Sequence, residues 1–137
     1  MYIYWYDGLL GVFLATIAAM ALGMLWYSPM LFGGLWLKIQ KKTKKDISMK
    51  QNEMTKMMIQ AGIITFVMAF VTNIFLKTYA LDLVSMYAVV FLLWLGFIAT
   101  VSYNNVLYYA RRRKLYLIDI TYQLVNLKLM ATILYFF

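Results

Sequence analysis

The stretch that decides the fold is Arg111-Arg112-Arg113-Lys114-Leu115-Tyr116-Leu117-Ile118-Asp119-Ile120-Thr121-Tyr122-Gln123-Leu124-Val125-Asn126-Leu127-Lys128. Four consecutive cations end one apolar segment, and a second apolar segment follows at once. The second segment contains a carboxylate, two amides and an ammonium group. Because a charge at the centre of a membrane helix costs ~2.5–3.5 kcal/mol even on the mildest scale, these side chains need partners or a function.

The composition around this stretch is typical of a membrane protein. Of 137 residues, 65% are hydrophobic and 13% are charged, whereas a soluble domain is about half apolar and about a quarter charged. Apolar runs of about 20 residues are long enough to cross a bilayer. We therefore predict an all-α, polytopic membrane protein that forms a single domain over residues 1–137.

The apolar runs predict four transmembrane helices and a short interfacial helix after the first. The spans cover about 8–27, 57–76, 83–109 and 115–137, the interfacial helix about 29–37, and a basic loop about 38–56. Ser28 suits the cap of the interfacial helix and Pro29 its first position. Trp26, Tyr27 and Trp36 suit the membrane–water interface.

The cations predict the orientation. The net charge is +8, and all cations except Lys77 and Lys128 lie in the basic loop or in the turn Arg111–Lys114. Cytoplasmic loops are enriched in Lys and Arg, and four spans place these two segments on the same side. We therefore predict a multi-pass protein of the cell (inner or plasma) membrane with both termini on the non-cytoplasmic side. Anionic lipid headgroups are the expected counter-charge for Arg111, Arg112, Arg113 and Lys114; no nucleic-acid partner is expected.

The absence of cysteine and histidine limits the chemistry. It excludes disulfides, thiolate or imidazole zinc sites, imidazole-bound haem and a Ser-His-Asp triad. Eleven methionines are potential Cu(I) ligands, but methionine is far more often a core residue. No second carboxylate accompanies Asp119, so paired-carboxylate catalysis is not supported. We expect no metal, no cofactor and no enzymatic activity.

Small residues recur at every fourth position of the first span. They are Gly11, Ala15, Ala19 and Gly23. This spacing forms a groove along one helical face, which lets another helix approach closely. We predict that this face packs against a helix.

The fourth span contains a polar face, because Asp119, Tyr122, Gln123 and Asn126 are spaced i, i+3, i+4 and i+7. In an antiparallel hairpin, the depths of these residues match those of polar residues on the third span. We therefore predict that Gly96, Thr100 and Asn104 pack on Asp119, Gln123 and Asn126, with Asn105 joining the network. Asp119 then either fixes the hairpin, through Asn104 or Asn105 and the nearby arginines, or binds a cation or moves a proton.

Lys128 does not belong to this face. It lies half a helical turn around from Asp119, so the two cannot pair along their own helix. Lys128 either extends to the outer surface or needs an acceptor on another helix or another subunit. Asn73, Asp82 and the C-terminal carboxylate are candidates within the chain.

Three motifs resemble one known family. They are Leu25-Trp26-Tyr27-Ser28-Pro29 with Leu31-Phe32-Gly33 and Trp36, Trp94-Leu95-Gly96-Phe97 with Ala99-Thr100, and Leu117-Ile118-Asp119 with Tyr122 and Leu124. The chain is similar, over nearly its whole length, to the bacterial membrane family called domain of unknown function 1761. That resemblance implies four membrane helices and no established activity. The family pattern has Ala-Gly and a histidine around the last tyrosine, where this chain has Ile120-Thr121 and Gln123, so proton chemistry based on that histidine is not expected.

Two functions follow from these features. The small-residue groove favours a small structural or accessory subunit that packs into a homo-oligomer or a larger membrane protein complex. The polar faces favour the alternative, a small oligomeric channel or proton-linked transporter.

Overall fold

The computed structural model describes residues 8–46, 48–79 and 82–137, and within them every regular element is helical. The elements are α1 (Leu9–Trp26), α2 (Gly33–Ile39), α3 (Gln51–Tyr79), α4 (Leu83–Leu93), a π-helical segment (Trp94–Ala99), α5 (Thr100–Tyr108) and α6 (Arg113–Phe136). Four helices are long and apolar enough to cross a membrane: Leu9–Trp26, Gln51–Tyr79, Leu83–Tyr108 and Arg113–Phe136. The predicted all-α architecture with four candidate membrane spans is therefore confirmed.

Helix α6 is the centre of the bundle, because it contacts α1, α2, α3, α4, the π-helical segment and α5. The main core consists of small and medium-sized apolar side chains where α1, α3 and α4 meet α6. Its most deeply buried members are Val12, Ala15, Ala19, Ala69, Met86, Val90, Met130 and Ala131.

The small-residue groove of α1 is occupied by α6 of the same chain. Ala15 and Ala19 are buried. A Cβ atom on Gly11 would lie 3.1 Å from Cβ of Phe137, and one on Gly23 would lie 2.9 Å from the hydroxyl of Tyr122. The groove is a close-packing face, but its partner is internal, so it is not available to a second subunit.

The short helix after α1 begins at Gly33 rather than at Pro29. The intervening residues form a tight turn in which Phe32 N–H donates to the Trp26 carbonyl at 2.9 Å and Gly33 N–H donates to the Ser28 carbonyl at 2.9 Å. The Ser28 hydroxyl donates to the Leu25 carbonyl at 2.6 Å and accepts from the Met30 N–H at 3.3 Å, within the turn rather than at the start of a helix.

Helix α3 also starts earlier than its predicted span. It is continuous from Gln51 to Tyr79, so the last polar residues of the predicted basic loop form its first turns. A helix of 29 residues is longer than the ~20 residues that a bilayer core requires.

The third span contains a π-helical turn at Trp94–Ala99. Such a turn holds one extra residue, so it rotates the following helix by about 100°. In a regular helix Asn104 would lie about five turns after Met86, on the same face. With the π turn, Ala99 is buried and Asn104 is exposed.

The predicted packing of Gly96, Thr100 and Asn104 on the polar face of α6 is therefore wrong, since all three are exposed. Two hydrogen bonds to α6 hold the π turn in place. Trp94 Nε1 donates to the Ile120 carbonyl at 2.8 Å, and the Tyr116 hydroxyl donates to the Ala99 carbonyl at 2.8 Å.

Candidate functional site

The fold brings the two cationic segments to one end of the bundle. Arg112 Nη1 donates to the Ile39 carbonyl at 2.6 Å, which ties the turn before α6 to the end of α2. Arg112, Arg113 and Lys114 are exposed there. The same end contains the predicted interfacial residues Trp26, Tyr27 and Trp36, and the candidate site is built among them.

Asp119 joins three segments at this end. Its Oδ1 atom accepts a hydrogen bond of 2.6 Å from the Tyr27 hydroxyl, and its Oδ2 atom forms an ion pair with Nη2 of Arg111. The carboxylate therefore links the end of α1 and the turn after α5 to α6. Neither Asn104 nor Asn105 bonds to it, because the π turn leaves both amides exposed.

Aromatic rings surround the Asp119–Tyr27 contact. Tyr27 meets Tyr122 edge-on with centroids 5.4 Å apart, and meets Trp36 edge-on at 5.9 Å. Trp26 packs on Phe32 at 4.6 Å. The residues of the first motif are thus the wall of the site, and the turn that follows α1 positions them.

Gly33 makes this turn possible. It is buried, and a Cβ atom there would lie 2.2 Å from the Tyr27 carbonyl oxygen. Gly34, the next residue in α2, has nothing within 4 Å of its Cβ position. Gly33 therefore permits the close approach of α2 to the end of α1, whereas Gly34 faces open space.

A cavity of about 860 Å³ opens beside Asp119. Its volume is within the range of ligand pockets, roughly 300–1,000 Å³, which are mostly apolar with a few polar groups. The lining residues are Tyr27, Pro29, Gly33, Gly34, Trp36, Leu37, Lys44, Met57, Arg111, Asp119 and Gln123. Three of them are charged, namely Lys44, Arg111 and Asp119, so the lining has a net charge of +1.

Two amide oxygens lie deeper on the polar face of α6. Oε1 of Gln123 and Oδ1 of Asn126 are buried and accept no hydrogen bond from the described residues. Asn126 is 4% exposed. Beyond it the interior is apolar, with Met130 and Ala131 fully buried.

The remaining predicted site residues lie apart from the cavity. Lys128 is exposed on the outer face of α6, and Thr100 is exposed on the third span. The Thr100 hydroxyl donates to the Gly96 carbonyl within its own helix at 2.6 Å. The structure thus joins Asp119 and Gln123 to the aromatic turn and separates them from the polar residues of the third span.

Sequence reasoning missed Lys44 and the role of Tyr27 as the hydrogen-bond donor to Asp119. Tyr27 and Asp119 are 92 positions apart, so no local spacing connects them. Lys44 was one of seven lysines in the basic loop, and only the fold distinguishes it. The first and last motifs of the family resemblance were the one available signal, because their residues meet in this site.

Two carboxylates outside the membrane-spanning segments have lowered pKa values. The backbone N–H and hydroxyl of Thr43 hydrogen-bond Asp46 and lower its pKa. The backbone N–H and hydroxyl of Ser85 do the same to the pKa of Asp82, which caps α4. Both stabilise local turns, and neither is among the residues that line the cavity. Among the residues that the structure describes, no three side chains of the His, Cys, Asp or Glu types lie together.

A family model described as "Protein of unknown function (DUF1761)" matches residues 10–135. No curated protein and no solved structure matches the chain. The match includes α1 from its second residue to nearly the end of α6, and therefore every helix that builds the site.

Proposed function

Because the chain belongs to the DUF1761 family, whose description names no activity, we propose its function from the geometry. The protein is a non-enzymatic subunit that packs into a homo- or hetero-oligomeric membrane complex. The basic end of the bundle is the cytoplasmic end, in accord with the enrichment of cytoplasmic loops in Lys and Arg. The observation that carries the proposal is the position of Lys128.

Lys128 lies on the surface of a membrane helix, in line with Leu117, Thr121 and Val125, which are also exposed. It is ~22 Å along α6 from Arg113 and ~12 Å from Phe136, since a helix rises ~1.5 Å per residue. Its Cα atom is therefore inside an apolar layer ~30 Å thick. An unpaired ammonium group costs about 2.5–3.5 kcal/mol at the centre of a membrane helix, and the cost is smaller for Lys128 because it lies ~8 Å from the outer edge of the layer.

No carboxylate of the described residues compensates this charge, because the ion pair found among them joins Arg111 and Asp119. An acceptor on a neighbouring membrane helix removes the cost. Intramembrane charges are usually paired in this way. We therefore place the interface with the neighbouring subunit on the outer face of α6.

A second exposed feature supports assembly. Gly96, Thr100 and Asn104 form a small and polar stripe on the outside of the third span. A shallow groove of about 400 Å³ runs beside it, between the third span and Tyr116. Small residues at every fourth position favour close helix packing in membranes. The third span, rather than α1, therefore offers a free packing face.

The test is extraction of the full chain from its native membrane into lipid nanodiscs, followed by native mass spectrometry. We expect a complex larger than the monomer. Lys128→Met weakens its association about three- to twentyfold, the range of interhelical hydrogen bonds in membranes. Lys56→Met, which removes an exposed lysine from the first turns of α3, is the matched control and leaves the complex intact. A wild-type monomer with no co-purifying polypeptide contradicts the proposal.

A small channel or proton-linked transporter is the second candidate. It is favoured by the buried oxygens of Gln123 and Asn126, which lie in line beneath Asp119 and accept no hydrogen bond from the described residues. Buried polar atoms of this kind commonly bind internal water. Proton flux into liposomes tests the idea. Loss of flux in Asp119→Asn and Gln123→Leu, with retention in Asn104→Leu, favours this candidate, whereas absence of wild-type flux excludes it under those conditions.

A further inference from the structure

The cavity beside Asp119 has the composition of a lipid-binding pocket. Its wall is apolar at Pro29, Trp36, Leu37 and Met57, and it lies at the end of the bundle where both cationic segments meet. Basic pockets between membrane helices on the cytoplasmic side are typical binding sites for anionic lipid headgroups. Its location among interfacial aromatic rings places it at headgroup depth.

The charges of the lining favour an anionic headgroup. Asp119 is neutralised by Arg111 and also accepts the Tyr27 hydrogen bond, so it offers little repulsion. The hydrogen bond from Arg111 to Asp119 uses the Nη2 atom of Arg111. The guanidinium group has further donors at Nη1 and Nε. Lys44 contributes a second positive charge, and no described carboxylate forms an ion pair with it.

We infer that this cavity binds an anionic glycerophospholipid. The phosphate lies between Lys44 and Arg111, and the acyl chains run along Pro29, Leu37 and Met57. A soluble anion would not use the apolar wall, and a zwitterionic lipid would bring its own cation to a site that is already positive. The inference rests on the cavity alone and does not depend on the assembly proposed above.

A substitution at Gly34 can test whether this cavity is the binding site. The Cβ position of Gly34 has no atom within 4 Å, and the residue lines the cavity. We expect a leucine there to extend into the cavity, because its Cβ atom meets no other atom. Gly62 is the matched control, because it is also helical with nothing within 4 Å but is not among the residues that line the cavity.

The experiment titrates the purified full chain in detergent with dibrominated phosphatidylglycerol or dibrominated phosphatidylcholine and measures tryptophan quenching. Trp36 lines the cavity, and the difference between the wild type and Trp36→Phe isolates its signal. We expect phosphatidylglycerol to quench Trp36 at an about fivefold lower mole fraction than phosphatidylcholine, the preference that one basic residue confers.

Matched variants locate the site. Lys44→Gln removes the preference for phosphatidylglycerol, whereas Lys45→Gln, which changes the net charge equally one residue away, retains it. Gly34→Leu abolishes quenching of Trp36 by either lipid, and Gly62→Leu does not. Equal quenching of the wild type by both lipids overturns the inference. An equal effect of Lys44→Gln and Lys45→Gln on the lipid preference also overturns it. Displacement of the brominated lipid by millimolar inorganic phosphate overturns it as well, because it would identify a soluble anion as the ligand.

Discussion

At the scale of single residues, the carboxylate of Asp119 holds three segments of the chain together. Its position in an apolar segment predicted that it needs partners, and its proximity to the arginine cluster was expected. The structure supplies Arg111 as one partner and Tyr27 as the other. Because the Arg111 side chain is 38% exposed, solvent screening reduces the contribution of the ion pair. The shielded hydrogen bond from Tyr27 therefore contributes a substantial part of the stabilisation.

Removing this hydrogen bond gives the first prediction. Tyr27→Phe lowers the free energy of unfolding by about 1–2 kcal/mol, because a hydrogen bond to a charged group is lost. Asp119→Asn has a similar effect, and the double variant is less destabilised than the sum of the two by at least about 0.5 kcal/mol. The measurement is denaturant unfolding in detergent micelles. Tyr103→Phe is the control, since the Tyr103 hydroxyl forms no hydrogen bond with the described residues. Additive effects of the Tyr27 and Asp119 variants would show that the two side chains are not coupled.

At the scale of the elements, the apolar runs predicted the long helices, because hydrophobicity over about 20 residues is a local property. They did not predict the π turn, since its stabilising partners, the Ile120 carbonyl and the Tyr116 hydroxyl, belong to another helix. The same limit applies to the start of α2. Ser28-Pro29 is a good helix start locally, but the hydrogen bonds from Phe32 to Trp26 and from Gly33 to Ser28 form a turn there instead.

The two glycines of α2 provide a matched pair of substitutions. Gly33→Ala destabilises the protein by about 1–3 kcal/mol, because its Cβ atom meets the Tyr27 carbonyl and the backbone must move. Gly34→Ala is neutral or stabilising by up to about 1 kcal/mol, because alanine loses less backbone entropy in a helix. Thermal unfolding of both variants under the same conditions measures the difference. Equal destabilisation would show that the approach of α2 to the end of α1 is not as close as described.

The cap of α4 gives a prediction for pH. The Ser85 N–H donates to Asp82 at 2.7 Å, and the folded-state pKa of Asp82 lies below its ordinary value of 3.8. A lowered pKa means that the stabilisation is present above the unfolded-state pKa and is lost as the pH falls through the folded-state value. Asp82→Ala therefore lowers the melting temperature at pH 7 and has a smaller effect near pH 3. Asp82→Ser retains a capping oxygen that does not titrate, so its difference from Asp82→Ala is expected to persist at low pH.

At the scale of the whole molecule, the sequence predicted the class of protein and the number of candidate spans but not the arrangement of the helices. The groove of α1 was correctly identified as a packing face, yet nothing in its spacing indicates which helix fills it. Its partner proved to be α6, which contacts every other helix. Because α6 fills this groove, the features that favour assembly are Lys128 and the exposed stripe of Gly96, Thr100 and Asn104 on the third span.

The orientation of the bundle is open to direct measurement, because the chain has no native cysteine. Single cysteines at Lys45, in the loop before α3, and at Thr78, in the last turn of α3, lie on either side of this span. We expect a membrane-impermeant maleimide to label Thr78→Cys in intact cells and to label Lys45→Cys only after the membrane is permeabilised. The reverse pattern would place the basic end outside the cell. Labelling of both positions in intact cells would show that α3 does not cross the membrane.

The central position of α6 also determines the order in which this fold can mature. α6 is the last of the described helices to leave the ribosome, yet every other helix packs on it. The three earlier spans therefore enter the bilayer before their common partner has been synthesised, and the groove of α1 remains open to lipid or to insertion factors during that time. A nascent chain that stops before Arg113 keeps the contact between α1 and α3 but lacks the helix on which the rest of the core packs, so we expect membrane quality control to recognise it.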